Sequence, residues 1–206
     1  MLVHLVTGLL AVGLDASWLD TLVFPRSTSV RIWVGGQLDT LIPTEPWRLC
    51  TSVLLHTDLL HLFLNTTALL ALGAILEPLM GRLRWASVFV IGGLGGSLVP
   101  WLVGVRQSDG ASGAAFALLG AGMSWGWRHR ASLDVEDRRM LGPVFLAFTV
   151  ANLAIGLLIP TIDGTAHLGG LATGLVVGLG PHTRIVSALE ALTIGAFIGA
   201  CAFGWR

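Results

Sequence analysis

The sequence predicts an all-α, polytopic transmembrane helical bundle of six to seven spans. Hydrophobic residues make up 54% of the 206 and charged residues only 12%, with a mean hydropathy of +0.80. A soluble domain carries about a quarter charged residues, enough to cover its water-exposed faces. The charges here also cluster and leave long apolar stretches between them, which is the pattern of repeated spans rather than of one apolar core. Arg, Asp, Pro and Gly mark the breaks between those stretches.

The apolar runs place span one at about Leu2–Leu14, span two at Leu59–Leu76, span three at Trp85–Val103 and span four at Ser112–Trp127. Spans five, six and seven follow at about Met140–Ile159, Ala166–Leu179 and Ile185–Phe203. At about 1.5 Å per residue, spans one, four and six fall short of the roughly 20 residues of a full crossing. Met1–Leu14 lacks the basic start and small-residue cleavage site of a signal peptide, so it is expected to stay in the mature protein. No internal repeat or linker divides the chain, and residues 1–206 read as a single membrane domain.

The connections alternate in charge. Arg82 and Arg84 lie between spans two and three, Arg128, Arg130, Arg138 and Arg139 between four and five, and Arg184 between six and seven. Opposite them stand Arg106 with Asp109, and Asp163 with no basic residue. The positive-inside rule then puts the N-terminus in the cytoplasm and the 105–111 and 160–165 turns outside. Trp47, Trp85, Trp101, Trp125 and Trp127 fall near predicted interfaces. The external segment at about 15–58 carries three Arg against five acidic residues and is long for a structureless loop. Its Trp18, Leu22, Phe24, Ile32, Trp33 and Trp47 suit a structure lying partly in the membrane interface; the other reading is a loosely ordered loop.

The formal net charge is zero, so nothing points to a nucleic-acid partner; the partner implied is the lipid bilayer. All twelve basic residues are Arg, and Lys and Tyr are absent, as codon bias in a GC-rich bacterial genome would produce. Cys50 and Cys201 form no metal-like cluster. They read as two unpaired small apolar residues, or as one disulfide if both lie near the same membrane face. No cofactor is implied.

Polar groups inside spans are costly, which makes each a functional suspect. His61 and Asn65 are four residues apart and share one face of span two. They are either hydrogen-bond donors aimed into a cavity or anchors between helices. Ser112 lies between glycines in Gly110-Ala-Ser112-Gly113, at the outer start of a span of about 16 residues and roughly 24 Å. In a core of about 30 Å this puts Ser112 below the outer surface, with open backbone N–H groups at a helix N-terminus. The plain alternative is a helix start with a small packing face.

His167 opens span six in Gly164-Thr-Ala-His167-Leu-Gly-Gly170, followed by Gly174 and Gly178. That 170/174/178 stripe of small residues lets the helix approach another backbone closely. Spans four and six run in the same direction, so close packing brings Ser112 and His167 to similar depth. A lone His near a helix end is otherwise structural. Taken together, a nucleophile, a base and two spare donors are the minimum for acyl transfer. No carboxylate is well placed as a third member, because Asp163 and Asp109 both read as interfacial turn residues; the reading is a dyad, with Asp163 as an orienting group the minor alternative.

At this point the chain resembles the rhomboid family of intramembrane serine proteases, in its six-plus-one-span form. The resemblance rests on Trp47-Arg48, on His56-x4-His61-x3-Asn65, and on Gly73, Glu77 and Gly81. It continues through Gly-Ala-Ser112-Gly and Ala166-His167-x2-Gly170-x3-Gly174, in the family's order over about 45–180. It implies that Ser112 is nucleophile and His167 general base and then acid. His61 and Asn65 would be oxyanion donors alongside the Ser112 N–H. It also implies a lateral substrate gate near span five and the 160–165 turn, and single-pass or multi-pass membrane proteins as substrates. The short first span is the departure from the pattern. The location expected is the bacterial plasma membrane, with the site opening outward. Competing readings are a catalytically inactive rhomboid-like protein that binds membrane clients, and a small transporter or channel using His61, Asn65 and His167 as an ion path. A metalloprotease is disfavoured, because the sequence has no His-Glu-x-x-His and its six His show no ligand spacing.

Overall fold

A computed structural model describes residues 28–159, 161–181 and 183–204. The expected first span and the 15–27 part of the external segment lie outside the described residues. Within them the secondary structure is entirely helical. Span two is Leu59–Met80, span three Arg82–Leu102 and span four Ser112–Arg128. Span five is Val135–Leu158, span six Gly164–Gly178 and span seven Arg184–Gly204. Spans two, three, five and seven are long and apolar enough to cross a membrane. The chain is an integral membrane protein.

Spans two and five extend furthest beyond their sequence-derived limits, for local reasons. Span two continues past Pro78 to Met80 and stops at Gly81, whose φ of 83° is left-handed and whose N–H donates to the Glu77 carbonyl. Span five starts early because Asp134 caps it, accepting the Asp137 N–H at 2.8 Å. It then passes through a π-turn at Met140–Val144 that holds Pro143, which has no N–H to give the helix ladder.

Spans four and six, with 17 and 15 residues, are indeed the short ones. Span four is buried along nearly its whole length and packs against spans six, three, two and five. Glycine makes the closest of these approaches possible. A Cβ on Gly170 would strike the Gly113 carbonyl, one on Gly174 the Ala117 carbonyl, and one on Gly178 the Ala121 carbonyl. Gly96 of span three joins the same junction, where its Cβ would lie 2.8 Å from Gly113 Cα.

Arg84 does not lie in the connection between spans two and three, where the sequence pattern put it. It is on the first turn of span three, buried, and donates to the carbonyls of Val177 and Gly180 at 2.9 and 2.7 Å. Arg128 donates to the Leu179 carbonyl at 3.0 Å. Two guanidiniums therefore satisfy the open C-terminal carbonyls of span six. Glu190, a buried carboxyl on span seven, is a further intramembrane acid that apolar averaging hid.

The 15–58 segment is folded over its described part. Arg48 donates to the Ile32 and Gly36 carbonyls at 2.6 and 2.9 Å, pairs with Glu45 at 2.6 Å, and stacks 4.6 Å above Trp47. Cys50 and Cys201 are free thiols in one apolar cluster with Val53, Val90 and Phe197, which ties this segment to span seven. Burial pushes the Cys50 thiol pKa up, so it behaves as an apolar filler.

Gly174→Leu is expected to push spans four and six apart and to destabilise the protein by at least about 1–3 kcal/mol, the usual cost of overpacking. A thermal melt in detergent micelles checks it, with the exposed Gly195→Ala on span seven as control.

Candidate active site

Ser112 is the first residue of span four, preceded by a turn that no side chain caps. Gly110 has a φ of 135°, and a Cβ there would lie 2.7 Å from His61 Cε1 and 2.9 Å from its Nε2. Glycine is required at 110 both by its φ and by the His61 ring pressed against it. The Gly110 N–H donates to the Ser52 carbonyl at 3.0 Å, which ties this turn to the 15–58 segment.

Asp58 sets the start of span two. It caps the helix by accepting the His61 N–H at 2.8 Å. Thr57 Oγ1 donates to Asp58 Oδ2 at 3.0 Å and stands 3.1 Å from His61 Nδ1. With its one hydroxyl hydrogen committed to Asp58, Thr57 accepts from a protonated Nδ1. Nε2 then donates only if the ring is an imidazolium, or if the Thr57 hydroxyl turns toward Nδ1. His56 meets His61 edge-on, with centroids 5.0 Å apart. Asn65 is buried, and its Nδ2 donates to the His61 carbonyl at 2.9 Å, leaving the second amide hydrogen uncommitted by that bond.

His167 is buried on the first turn of span six. Its ring stacks on Phe116, with centroids 4.2 Å apart and planes 11° from parallel. Phe116 follows Ser112 by four residues and so shares its face of span four. The imidazole thus lies on the Ser112 side of that helix. No hydrogen bond joins Ser112 to His167, and His167 Nδ1 is buried without a hydrogen-bond partner. Nδ1 faces span five, where a Cβ on Gly156 would lie 3.9 Å from it.

The two acidic turn residues part company. Asp163 is the N-cap of span six: Oδ1 accepts the N–H groups of Thr165 and Ala166 at 2.9 and 3.3 Å, and the Thr165 hydroxyl. It makes no hydrogen bond to the His167 ring. Asp109, read from sequence as another interfacial turn residue, is instead fully buried, its carboxylate paired with Arg31. Phe116 was not singled out in the sequence; its four-residue spacing from Ser112 was the available signal.

A family model described as the rhomboid domain matches residues 43–184. The chain belongs to the rhomboid family. RHOMBOID-like protein 5 of Arabidopsis thaliana is 39% identical over 140 residues, covering 65% of this chain and 43% of that protein. Rhomboid protease GluP of Bacillus subtilis is 32% identical over 149 residues, or 72% of this chain and 29% of its own. A third rhomboid relative, named Inactive RHOMBOID-like protein 8, also of Arabidopsis thaliana, is 39% identical over 127 residues, 61% of this chain and 35% of that protein. The chain spans less than half the length of these relatives. The family therefore holds a protease and a member named inactive, from a bacterium and a plant, and the likeness does not assign a bacterial source.

If Asp163 is a cap and no more, Asp163→Asn should melt close to wild type, since Asn caps as well as Asp. Asp163→Ala should cost about 1 kcal/mol. Thermal unfolding of the purified variants decides between them.

Proposed function

We propose that this rhomboid is an intramembrane serine endopeptidase. It hydrolyses peptide bonds in or next to transmembrane helices of membrane-protein substrates, using a Ser112–His167 dyad. The observation that carries the reading is the stacking of His167 on Phe116, one turn along the face of span four that begins with Ser112. The Ser112–His167 hydrogen bond would then form on substrate binding, since catalytic hydrogen bonds are often long or poorly aligned in unliganded enzymes.

Ser112 Oγ attacks the scissile carbonyl while His167 takes its proton. Nδ1 is turned to span five, so Nε2 is the basic nitrogen. The tetrahedral oxyanion is held by the Ser112 N–H, the second Asn65 amide hydrogen and, with the Thr57 hydroxyl turned toward Nδ1, the His61 Nε2–H. His167 returns the proton to the leaving amine, and water repeats the sequence on the acyl-enzyme. The substrate helix unwinds at the cut, because an intact helix hides its carbonyls in its own hydrogen bonds. The setting proposed is a bacterial plasma membrane, with the N-terminus cytoplasmic and the site opening outward.

A second reading, an inactive rhomboid that binds membrane clients, is favoured by the missing Ser112–His167 hydrogen bond and by the relative named inactive. A fluorophosphonate probe separates the two, because an inert binder leaves Ser112 unlabelled.

Ser112→Ala and His167→Ala are expected to abolish cleavage of a single-pass reporter in proteoliposomes while the protein still inserts. Asn65→Ala should lower kcat by about 10²–10³-fold, the usual loss for one oxyanion donor. Full cleavage by either dyad variant would sink the assignment.

A further inference from the structure

Asp109 lies three residues before Ser112, and its side chain is 0% exposed. Arg31 Nη1 stands 3.2 Å from Oδ2, and the Gln37 N–H donates to Oδ1 at 2.8 Å. The other terminal nitrogen of Arg31 donates to Gln107 Oε1 at 2.7 Å. One guanidinium of the external segment thus grips two side chains of a single turn. That turn is held from the same side twice more, by Gly110 N–H on the Ser52 carbonyl and by Asp39 N–H on the Arg106 carbonyl, each at 3.0 Å. Gln37, itself fully buried, extends the anchorage to the Ser97 carbonyl of span three at 3.1 Å.

A buried ion pair is weak evidence for stability, since desolvating both charges offsets their attraction; its best-attested use is to set register. Here the register at stake is that of the nucleophile. We propose that Asp109 is a positioning residue, whose ion pair with Arg31 latches the external segment onto the turn leading to Ser112 and so fixes the depth and direction of that hydroxyl. The proposal rests on the reading of Ser112 as nucleophile.

Burial pushes the Asp109 carboxyl up to about 6, against the Gln37 N–H and the charges of Arg31 and Arg48. The charges acting on it are those two arginines; Arg106 lies on the same turn, and His61 packs against the next residue, Gly110. The latch is therefore charged at neutral pH and neutralised in mild acid. With its folded pKa above the ordinary 3.8, the folded chain keeps this proton longer than the unfolded one. The group therefore subtracts stability as pH rises from 3.8 to about 6. Asp109→Asn, which mimics the protonated form, should then melt no lower than wild type at pH 7.5 and still place Ser112 less well.

The test uses the full chain in micelles, comparing wild type, Asp109→Asn, Arg31→Gln and the double variant. Two readouts are taken: the fluorophosphonate labelling rate from pH 5 to 8, and amide hydrogen exchange of the 105–116 segment. At pH 7.5 each single variant should label about tenfold more slowly or worse, as a nucleophile displaced by a fraction of an ångström does. The double variant should be no slower than the worse single. The wild-type advantage should shrink toward one as pH falls below 6, and exchange in 105–116 should quicken in both single variants. Labelling within twofold of wild type, a pH-independent ratio, or multiplicative losses in the double variant would each overturn the proposal. Should wild type itself fail to label, the nucleophile reading fails. The latch is then judged by exchange alone, unchanged exchange in both single variants overturning it and faster exchange upholding it. Arg31→Gln carries the same comparison if Asp109→Asn does not fold.

Discussion

Everything in this molecule depends on how closely spans four and six approach. Gly170, Gly174 and Gly178 lie against the backbone carbonyls of Gly113, Ala117 and Ala121, so side chains have no room between the two helices along three turns. In a bilayer, where lipid is as apolar as leucine, such backbone-to-backbone packing is what holds helices together. It also fixes the register of the two helices. With Gly170 seated on Gly113, His167, three residues before Gly170, and Ser112, next to Gly113, come to the same end of the helix pair. The same contact that stabilises the bundle brings the candidate base against Phe116, on the face of span four that begins with Ser112.

The rest of the fold supports that pair from outside. Span four can be short because other helices surround it and it need not meet lipid along its length. Span six can be short because Arg84 and Arg128 satisfy its last carbonyls. At the opposite end Asp163 caps its first N–H groups. A helix with both ends satisfied by protein tolerates a position where its termini fall short of the membrane surface. The 15–58 segment plays the corresponding part for span four. It holds the Gly110 turn through Ser52 and Asp109, and Arg48 keeps the segment itself in shape by binding the Ile32 and Gly36 carbonyls.

The site has little charge of its own. His167 rests on an aromatic face, and among the described residues no carboxylate hydrogen-bonds to it. His61 is aligned by a hydroxyl that is already committed to Asp58. Acyl transfer in such surroundings relies on fixed dipoles and close placement rather than on a buried counter-charge, since a bare carboxylate within the membrane is costly to ionise. The nearest buried carboxylate on the nucleophile's own turn, Asp109, is spent on Arg31.

Composition and patterning by themselves determined a good deal: the class of protein, the approximate spans, the shortness of spans four and six, and the small-residue stripe. Those features depend on transfer of side chains into lipid and on helix geometry, which are local and additive along the chain. Ser112, His167, His61 and Asn65 were nameable because a polar residue in an apolar run stands out. Only the tertiary structure decided which side of span four His167 lies on, that Phe116 supports it, that Asp163 caps while Asp109 is buried, and that Arg84 turns inward to span six. Each of those depends on partners far away in sequence. A residue such as Asp109 looks the same in a string whether water or a guanidinium 78 positions away receives its charge.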